Sequence, residues 1–131
     1  MKKTPTDYEI LSKIYDDYFD EYRTFEQNKE IRSSYNYVPI DLKKLATKLE
    51  TDENILFGRL YYHLEKKFGY TNPDNTNVQF FAKKVGKDMH CIHFPYLASV
   101  LASMKSENRK YMVATSLSVV AIVISIIALL L

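Results

Sequence analysis

The sequence predicts a mainly α-helical domain with a small β-hairpin, followed by one C-terminal transmembrane helix. Three observations support this fold class. Apolar residues before position 70 recur at three- and four-residue spacing, as in helices that bury one face. Two β-prone runs, residues 78–85 and 89–94, flank a short segment that contains a glycine, which is typical of a hairpin. Residues 112–131 carry no charge, and sixteen of these twenty residues are Ala, Val, Ile, Leu or Met.

Composition narrows the class of protein. The 131 residues have room for one domain and an appendage, and the net charge of +2 indicates no strong preference of the whole chain for nucleic acid. A single cysteine excludes an internal disulfide and favours a reducing compartment. Aromatic residues at 14% and charged residues at 26% are typical of a folded rather than a disordered chain.

The apolar segment at residues 112–131 has the length of a membrane span. Twenty helical residues extend about 30 Å, which matches the hydrocarbon core of a bilayer. Twelve of them are Leu, Ile or Val, which outweigh the four hydroxyl-bearing residues. A small domain could hardly cover a helix that is apolar on every face. We therefore expect a transmembrane helix in contact with membrane lipid, rather than a core helix.

The flanks of the span predict its orientation. Lys105, Arg109 and Lys110 lie in a basic juxtamembrane segment at residues 105–111, and positively charged residues remain on the cytoplasmic side. The N-terminal part contains no apolar run of signal-peptide length. We expect a single-pass, tail-anchored protein of the cell membrane whose N-terminal domain is cytoplasmic.

Small residues repeat along one face of the predicted span. Their spacing of four and three residues makes a heptad stripe, and helices in lipid associate closely through small side chains. The stripe predicts a homodimer that packs through Ala114, Ser118, Ala121, Ser125 and Ala128. Small residues are also common in membrane spans, so chance alignment is the alternative interpretation.

The remaining elements are predicted in chain order. Residues 8–104 are expected to form the folded domain, after a flexible N-terminus at residues 1–7. The domain begins with an amphipathic helix from residue 9 to about residue 25, because apolar residues there follow the helical period. Thr6 or Asp7 is the predicted N-cap, since either side chain can accept a hydrogen bond from the first turn.

A short strand, a short helix and a longer helix follow. Residues 35–40 are β-prone, and Pro39 is tolerated at the edge of a sheet. Asp41 is the predicted N-cap of the second helix. Thr51 is the predicted N-cap of the third helix, which ends near Gly69.

The last part of the domain is predicted as a loop, a hairpin and a fourth helix. Residues 71–77 concentrate turn formers and are expected to be a loop. The hairpin is expected to turn through the three residues 86–88. Pro95 suits the first turn of a fourth helix, which can run on into the membrane span.

This order of elements resembles the winged helix-turn-helix domains. The residues that carry it are VPIDLKKLATKLETDENILFGRLYYHLEKKFGY, at positions 38–70, and the hairpin at positions 78–94. The resemblance covers roughly residues 8–104 and lies in apolar spacing and helix caps. It implies that the third helix, residues 51–68, enters the major groove of DNA while the hairpin, or wing, contacts backbone or minor groove.

The resemblance also implies which residues contact DNA. They are Asn54, Arg59, Tyr62, His63, Lys66 and Lys67 in the helix and Lys83, Lys84 and Lys87 in the wing. Residues 59–110 hold nine Lys and Arg against four Asp and Glu, which is the excess that phosphate neutralisation requires. The sequence thus predicts a membrane-tethered, regulatory or anchoring DNA-binding protein, in which paired anchors raise the effective concentration of the second contact.

Two features favour a protein partner instead of duplex DNA. Asp52 and Glu53 stand in the first turn of the third helix, where base contacts usually lie, and their carboxylates repel phosphate. Phe57, Tyr61 and Tyr62 give the same helix an aromatic face. The alternative hypothesis is a non-catalytic adaptor that recruits a cytoplasmic protein to the membrane.

The sequence gives little support for a catalytic site or a metal site. His90, Cys91 and His93 stand close in sequence, but alternation along a strand turns His90 away from the other two. No glycine-rich phosphate loop or calcium-loop motif occurs in the sequence. We therefore expect no enzyme activity, no cofactor and no metal site.

Overall fold

The fold is mainly helical, with two small antiparallel sheets and one long apolar C-terminal helix. The computed structural model describes residues 3–131, so Met1 and Lys2 of the predicted flexible N-terminus lie outside the described residues. The chain divides into two compact units, with the boundary between Ser99 and Val100.

Helix α1 spans Asp7–Thr24 and begins with a capping box. The Thr6 hydroxyl accepts the Glu9 N–H at 3.1 Å, and the Glu9 carboxylate accepts the Thr6 N–H at 3.2 Å. This pair satisfies two of the amide donors that a helix start leaves free. The predicted helix and its Thr6 cap are thus confirmed. Ile10, Leu11 and Ile14 are fully buried on one face of α1, as the apolar spacing predicts.

Strands β1 at Tyr37–Pro39, β4 at Phe81–Val85 and β5 at Asp88–His93 form an antiparallel sheet with the order β1-β5-β4. Val38 pairs with Ile92, and Ala82 pairs with Cys91. Strand β1 lies at an edge of this sheet, which is where Pro39 is tolerated because an edge position needs no ladder donor.

The hairpin turn is one residue shorter than predicted. Asp88 pairs with Val85, so only Gly86 and Lys87 connect β4 to β5. Gly86 has a φ of +59°, a conformation that glycine adopts without strain. Two-residue turns with positive φ match the twist of antiparallel strands, which is why the strands pair up to this point.

The predicted loop at residues 71–77 is also partly wrong. Its ends pair in a second sheet, made of strands β2 at Tyr70–Thr71 and β3 at Asn77–Val78. Asp74 tightens the intervening turn by accepting the N–H of Thr76 at 3.1 Å. Because Val78 belongs to β3, the strand predicted from residue 78 begins only at Phe81.

Helix α2 spans Leu42–Lys48 and starts at the predicted cap, since Asp41 accepts the N–H of Lys44 at 3.0 Å. The predicted Thr51 cap of the next helix is wrong. Thr51 is buried, and its N–H bonds to the Ala46 carbonyl at the end of α2. Asp52 caps the helix instead and accepts the N–H of Ile55 at 3.0 Å.

The third predicted helix is continuous through residues 53–68 but changes pitch in its middle. It consists of α3 at Glu53–Gly58, a π-helical segment at Arg59–Leu64 and α4 at Glu65–Phe68. It ends at Gly69, as predicted. Every fourth residue, Leu56, Leu60 and Leu64, is fully buried, so this helix presents one side to the core.

Helix α5 spans Phe94–Leu130 and contains both the predicted fourth helix and the predicted membrane span. Its C-terminal part, beyond Val100, is long and apolar enough to cross a membrane, and no second helix within residues 3–131 meets that description. Ser118 and Ser125 donate to the carbonyls of Ala114 and Ala121, each at 3.0 Å. The hydroxyls are therefore satisfied within the helix.

Candidate interaction surface

The residues predicted to contact DNA lie on the helix at residues 53–68 and on the β4–β5 hairpin. All of them except the half-buried Arg59 are exposed: Asn54, Tyr62, His63, Lys66, Lys67, Lys83, Lys84 and Lys87. No ion pair within residues 3–131 involves any of these five lysines. Their charges are thus available to an external partner.

The half-buried Arg59 and the exposed His63 make contacts inside the domain. Arg59 Nη2 lies 2.7 Å from Asp7 Oδ1, and its Nη1 donates to the Pro5 carbonyl at 2.7 Å. His63 Nε2 lies 3.1 Å from the second oxygen of Asp7. These bonds fix the helix to the start of α1. They also hold residues 5–7, part of the segment expected to be flexible, in a defined position.

Asp7 is therefore a charged anchor that sequence reasoning did not identify. Burial opposes its ionisation, but the hydrogen bonds from Arg59 and His63 outweigh that effect, so the pKa of Asp7 lies below its ordinary value. Asp7 stands more than fifty positions from Arg59 and His63 in the chain. No local signal could have indicated this pairing.

An aromatic cluster, made of Phe57, Tyr61 and Tyr62, lies on the same helix. The ring centroids of Phe57 and Tyr61 are 5.5 Å apart and nearly parallel, while Tyr62 lies edge-on at 5.0 Å from Tyr61. Tyr62 is 69% exposed and nearby Ile55 is 55% exposed. Both tyrosines belong to the π-helical segment, a type of irregularity that is frequent at functional sites.

Lys83 of the wing lies against this cluster. Its ammonium nitrogen is 4.1 Å from the Tyr61 ring centroid and 6.0 Å from the Phe57 centroid. These distances are within the range of cation–π attraction. Lys83, which was predicted to contact DNA, thus packs on the helix while part of its side chain is exposed to solvent.

An acidic groove of about 450 Å³ begins at the N-terminal end of the same helix. Its lining residues are Leu42, Asp52, Glu53, Asn54, Phe57 and His90. Asp52 and Glu53 are exposed, and neither forms an ion pair among residues 3–131. His90 has a φ of +55°, which is unusual for a strand residue and interrupts the in–out alternation of β5.

Cys91 and His93 follow His90 on strand β5 in different surroundings. Cys91 is fully buried, and burial raises the pKa of its thiol to about 11. His93 Nδ1 accepts the N–H of Tyr96 at 3.1 Å, at the start of α5. Within residues 3–131 no group of three His, Cys, Asp or Glu side chains is arranged to hold a metal ion.

Comparison with known proteins gave no matching family model, no similar curated protein and no similar solved structure.

Proposed function

We propose that this protein is anchored in the cell membrane by residues 112–131 and that its N-terminal domain recruits a protein partner. The partner binds the aromatic cluster and its surroundings on the helix at residues 53–68. The observation that carries this proposal is the exposure of Tyr62 and Ile55 at the centre of the surface that a DNA reader would use. Exposed aromatic anchors are typical of protein interfaces.

The electrostatics of the surface support a protein partner over DNA. Arg59 bonds to Asp7, and Nε2 of the exposed His63 lies 3.1 Å from the same carboxylate, so a negative charge accompanies both side chains. The exposed carboxylates of Asp52 and Glu53 repel phosphate at the first turn. Direct readout depends on cationic and amide side chains at this turn, and such side chains are scarce here.

The topology supports a winged-helix-like domain. Helix α1, strand β1, helix α2, the helix at residues 53–68 and the β4–β5 hairpin follow the order of the resemblance. The first strand pairs with the second hairpin strand, which gives a three-stranded sheet. In this proposal the fold supplies the frame, whereas the side chains of the aromatic cluster determine the partner.

The domain is placed on the cytoplasmic side of the membrane in this proposal. The support is the cluster of Lys105, Arg109 and Lys110 immediately before the span. Two anchors associate through the small-residue stripe of Ala114, Ser118, Ala121, Ser125 and Ala128, which doubles the recruiting sites at one position in the membrane.

Site-specific photo-crosslinking tests the proposed partner. The full chain, expressed in its own cells, carries p-benzoylphenylalanine at Tyr62 or, as the control, at exposed Asp16 on α1. We expect a discrete protein adduct from position 62 alone, and we expect Ile55→Arg to abolish it. Equal adducts from both positions, or adducts to nucleic acid only, would contradict the proposal.

Duplex DNA remains a second candidate because four exposed lysines, Lys66, Lys67, Lys84 and Lys87, have no ion pair among residues 3–131. The full chain in lipid nanodiscs would be titrated with fluorescent duplex while salt is raised. Phosphate contacts by these lysines would give a steep loss of affinity with salt, and replacing all four by Gln would remove binding. A protein partner predicts no duplex binding even at low salt.

The small-residue stripe is tested by substitution within the span. Ser118→Leu and Ala121→Leu place large side chains on the proposed contact face and should weaken self-association in a membrane two-hybrid assay. Val123→Leu, on the opposite face, is the matched control and should leave the signal unchanged. Unchanged association in the Ser118 and Ala121 variants would refute the stripe.

A further inference from the structure

We infer that the tip of the wing binds the anionic lipid headgroups of the membrane that holds the anchor. This inference rests on the proposed membrane anchor, but it does not depend on the protein partner. The tip carries three exposed lysines, Lys83, Lys84 and Lys87, beside the exposed apolar side chain of Met89. Cations next to an apolar side chain are the combination with which peripheral segments bind an anionic bilayer surface.

The charge of the wing tip is positive and largely uncompensated. Residues 81–91 contain these three lysines and a single acidic residue, Asp88. In the described part of the chain, residues 3–131, none of the three lysines forms an ion pair. Asp88 is half-buried, and its Oδ2 accepts the N–H of Ser33 at 2.7 Å in the loop before β1. The lysine ammonium groups are therefore available to lipid phosphates.

Met89 adds an apolar contact next to these cations. It pairs with Lys84 across the hairpin, so the two side chains lie on the same face of the sheet. Met89 is 52% exposed, and its flexible thioether side chain adapts to irregular apolar surroundings such as the boundary between headgroups and acyl chains. Lys83 already lies over the Tyr61 ring, so the headgroup contacts belong mainly to Lys84 and Lys87.

The charges around a second exposed apolar residue separate the wing from the partner surface. Ile55 is 55% exposed, and its N–H is accepted by Asp52, whose neighbour Glu53 is also exposed. Anionic headgroups are repelled at Ile55, whereas they are attracted around Met89. Met89 also favours lipid over duplex DNA, because a phosphate backbone offers no apolar layer to receive it. The sign of the local charge thus assigns the wing tip to an anionic lipid surface.

The wing tip is preformed, and the anchor keeps lipid close to it. Gly86 makes the turn with a φ of +59°, and the N–H of Lys87 donates to the Ser33 hydroxyl at 3.2 Å, so the tip needs little ordering when it binds. Residues 112–131 tether the domain, so the wing meets the bilayer at a high effective concentration. Each lysine near an anionic surface contributes a factor of about five to binding, which is enough for a tethered domain.

The chain contains no tryptophan, so Met89→Trp introduces a single fluorescent reporter of lipid contact. The full chain is reconstituted into vesicles of phosphatidylcholine alone or of phosphatidylcholine and phosphatidylglycerol in equal parts. We expect a blue shift of the tryptophan emission only in the vesicles that contain phosphatidylglycerol, and we expect high salt to reverse it. Lys84→Gln combined with Lys87→Gln should lower the ratio of docked to undocked wing by a factor of about 25.

Two controls separate the wing from general attraction to the membrane. Lys43→Gln with Lys44→Gln, at exposed positions of α2, removes the same charge and should leave the emission shift unchanged. Tyr62→Trp, in place of Met89→Trp, reports on the partner surface and should show no difference between the two kinds of vesicle.

Three results would overturn the inference: equal emission in both kinds of vesicle, equal losses in the two lysine pairs, or loss of the shift when duplex DNA is added at low salt. The last result would assign the lysines to nucleic acid. Flotation of the vesicles in a density gradient tests the anchor separately. A chain that does not float contradicts the proposed anchor, whereas a chain that floats without the emission shift contradicts only the role of the wing.

Discussion

The Arg32 guanidinium shows how a single buried charge can organise one end of the domain. Arg32 is only 3% exposed, and its centre lies 4.9 Å from the Phe25 ring centroid. Its hydrogen bonds go to the backbone carbonyls of Glu21, Tyr22, Ser34 and Tyr35. Two of these carbonyls belong to the last turn of α1, whose acceptors lack intrahelical partners. Arg32 therefore caps the C-terminal end of α1 and connects it to the following loop.

Replacing Arg32 by Lys should destabilise the domain by about 3 kcal/mol, because an ammonium cannot reach all four carbonyls and leaves buried acceptors unsatisfied. Thermal unfolding of the full chain in detergent micelles, followed by near-ultraviolet circular dichroism of the tyrosines, measures the effect. Arg23→Lys, at an exposed position of α1, is the control and should melt like the parent. Equal melting of the two variants would show that the carbonyl contacts contribute little.

His93 should make the stability of the domain depend on pH. Burial lowers the pKa of His93 below its ordinary value of 6.5, and its Nδ1 acts as the acceptor for the Tyr96 N–H. The unfolded chain then binds more protons than the folded chain as pH falls through 6.5, so the contribution of His93 is complete above that pH and is lost below it. Asp7 and Asp17, whose pKa values are also lowered, act only near and below pH 4.

Unfolding in urea at a series of pH values tests this sign. We expect the free energy of unfolding to fall between pH 7 and pH 5, and we expect His93→Asn to remove most of that slope, because Asn keeps an acceptor but does not titrate. His90→Asn is the control, because the ring that accepts the Tyr96 N–H belongs to His93. A parent protein that gains stability on acidification in this range would contradict the assignment.

At the scale of elements, the outcome of each prediction depends on how local its determinants are. The Asp41 cap could be predicted because the acceptor and the Lys44 N–H lie three residues apart. The predicted Thr51 cap of the next helix is one residue too early, since both Thr and Asp cap helices and only the fold shows that Thr51 is buried while Asp52 accepts the Ile55 N–H. The pairing of Tyr70 with Val78 could not be predicted, because a strand of two residues is too short to show an alternation of apolar and polar residues.

The wing turn supplies a prediction at this scale. Gly86 has a φ of +59°, and a Cβ there would lie 2.5 Å from the Ser33 hydroxyl. Gly86→Ala should therefore destabilise the domain by about 2 kcal/mol, from backbone strain combined with the displacement of Ser33. Ser33 also accepts the Lys87 N–H at 3.2 Å, so the change loosens the contact between the wing and the loop before β1.

Gly58→Ala provides the matched control for this turn. Gly58 lies in a helix, and a Cβ there meets only Tyr62 Cδ2 at an ordinary 3.7 Å. This substitution should stabilise the domain by about 0.5–1 kcal/mol, because alanine loses less backbone entropy than glycine in a helix. Parallel urea unfolding of both variants measures the difference. Equal effects of the two substitutions would show that neither the φ nor the Ser33 contact constrains the wing.

At the scale of the whole molecule, the sequence was sufficient to predict a long apolar C-terminal helix but not the charge of the domain surface. A helix that is apolar on every face can be predicted from composition alone, so the prediction for residues 112–131 required no knowledge of tertiary contacts. The charge of an interaction surface depends on which side chains are neutralised from elsewhere. The sequence predicts Arg59 and His63 as DNA contacts, whereas in the fold both side chains bond to Asp7.

The proposed orientation in the membrane can be tested by labelling an introduced thiol, because the native thiol of Cys91 is expected to contribute little signal. Cys91 is fully buried and its thiol pKa is about 11, so it should react slowly with maleimides. Ser106→Cys then places a single reactive thiol in the basic juxtamembrane segment. If that segment is cytoplasmic, a membrane-impermeant maleimide should label it only after the cells are permeabilised, and the parent chain should stay unlabelled in both conditions. Labelling of Ser106→Cys in intact cells would show that the segment lies outside the cell, and a domain on that side could not bind a cytoplasmic partner.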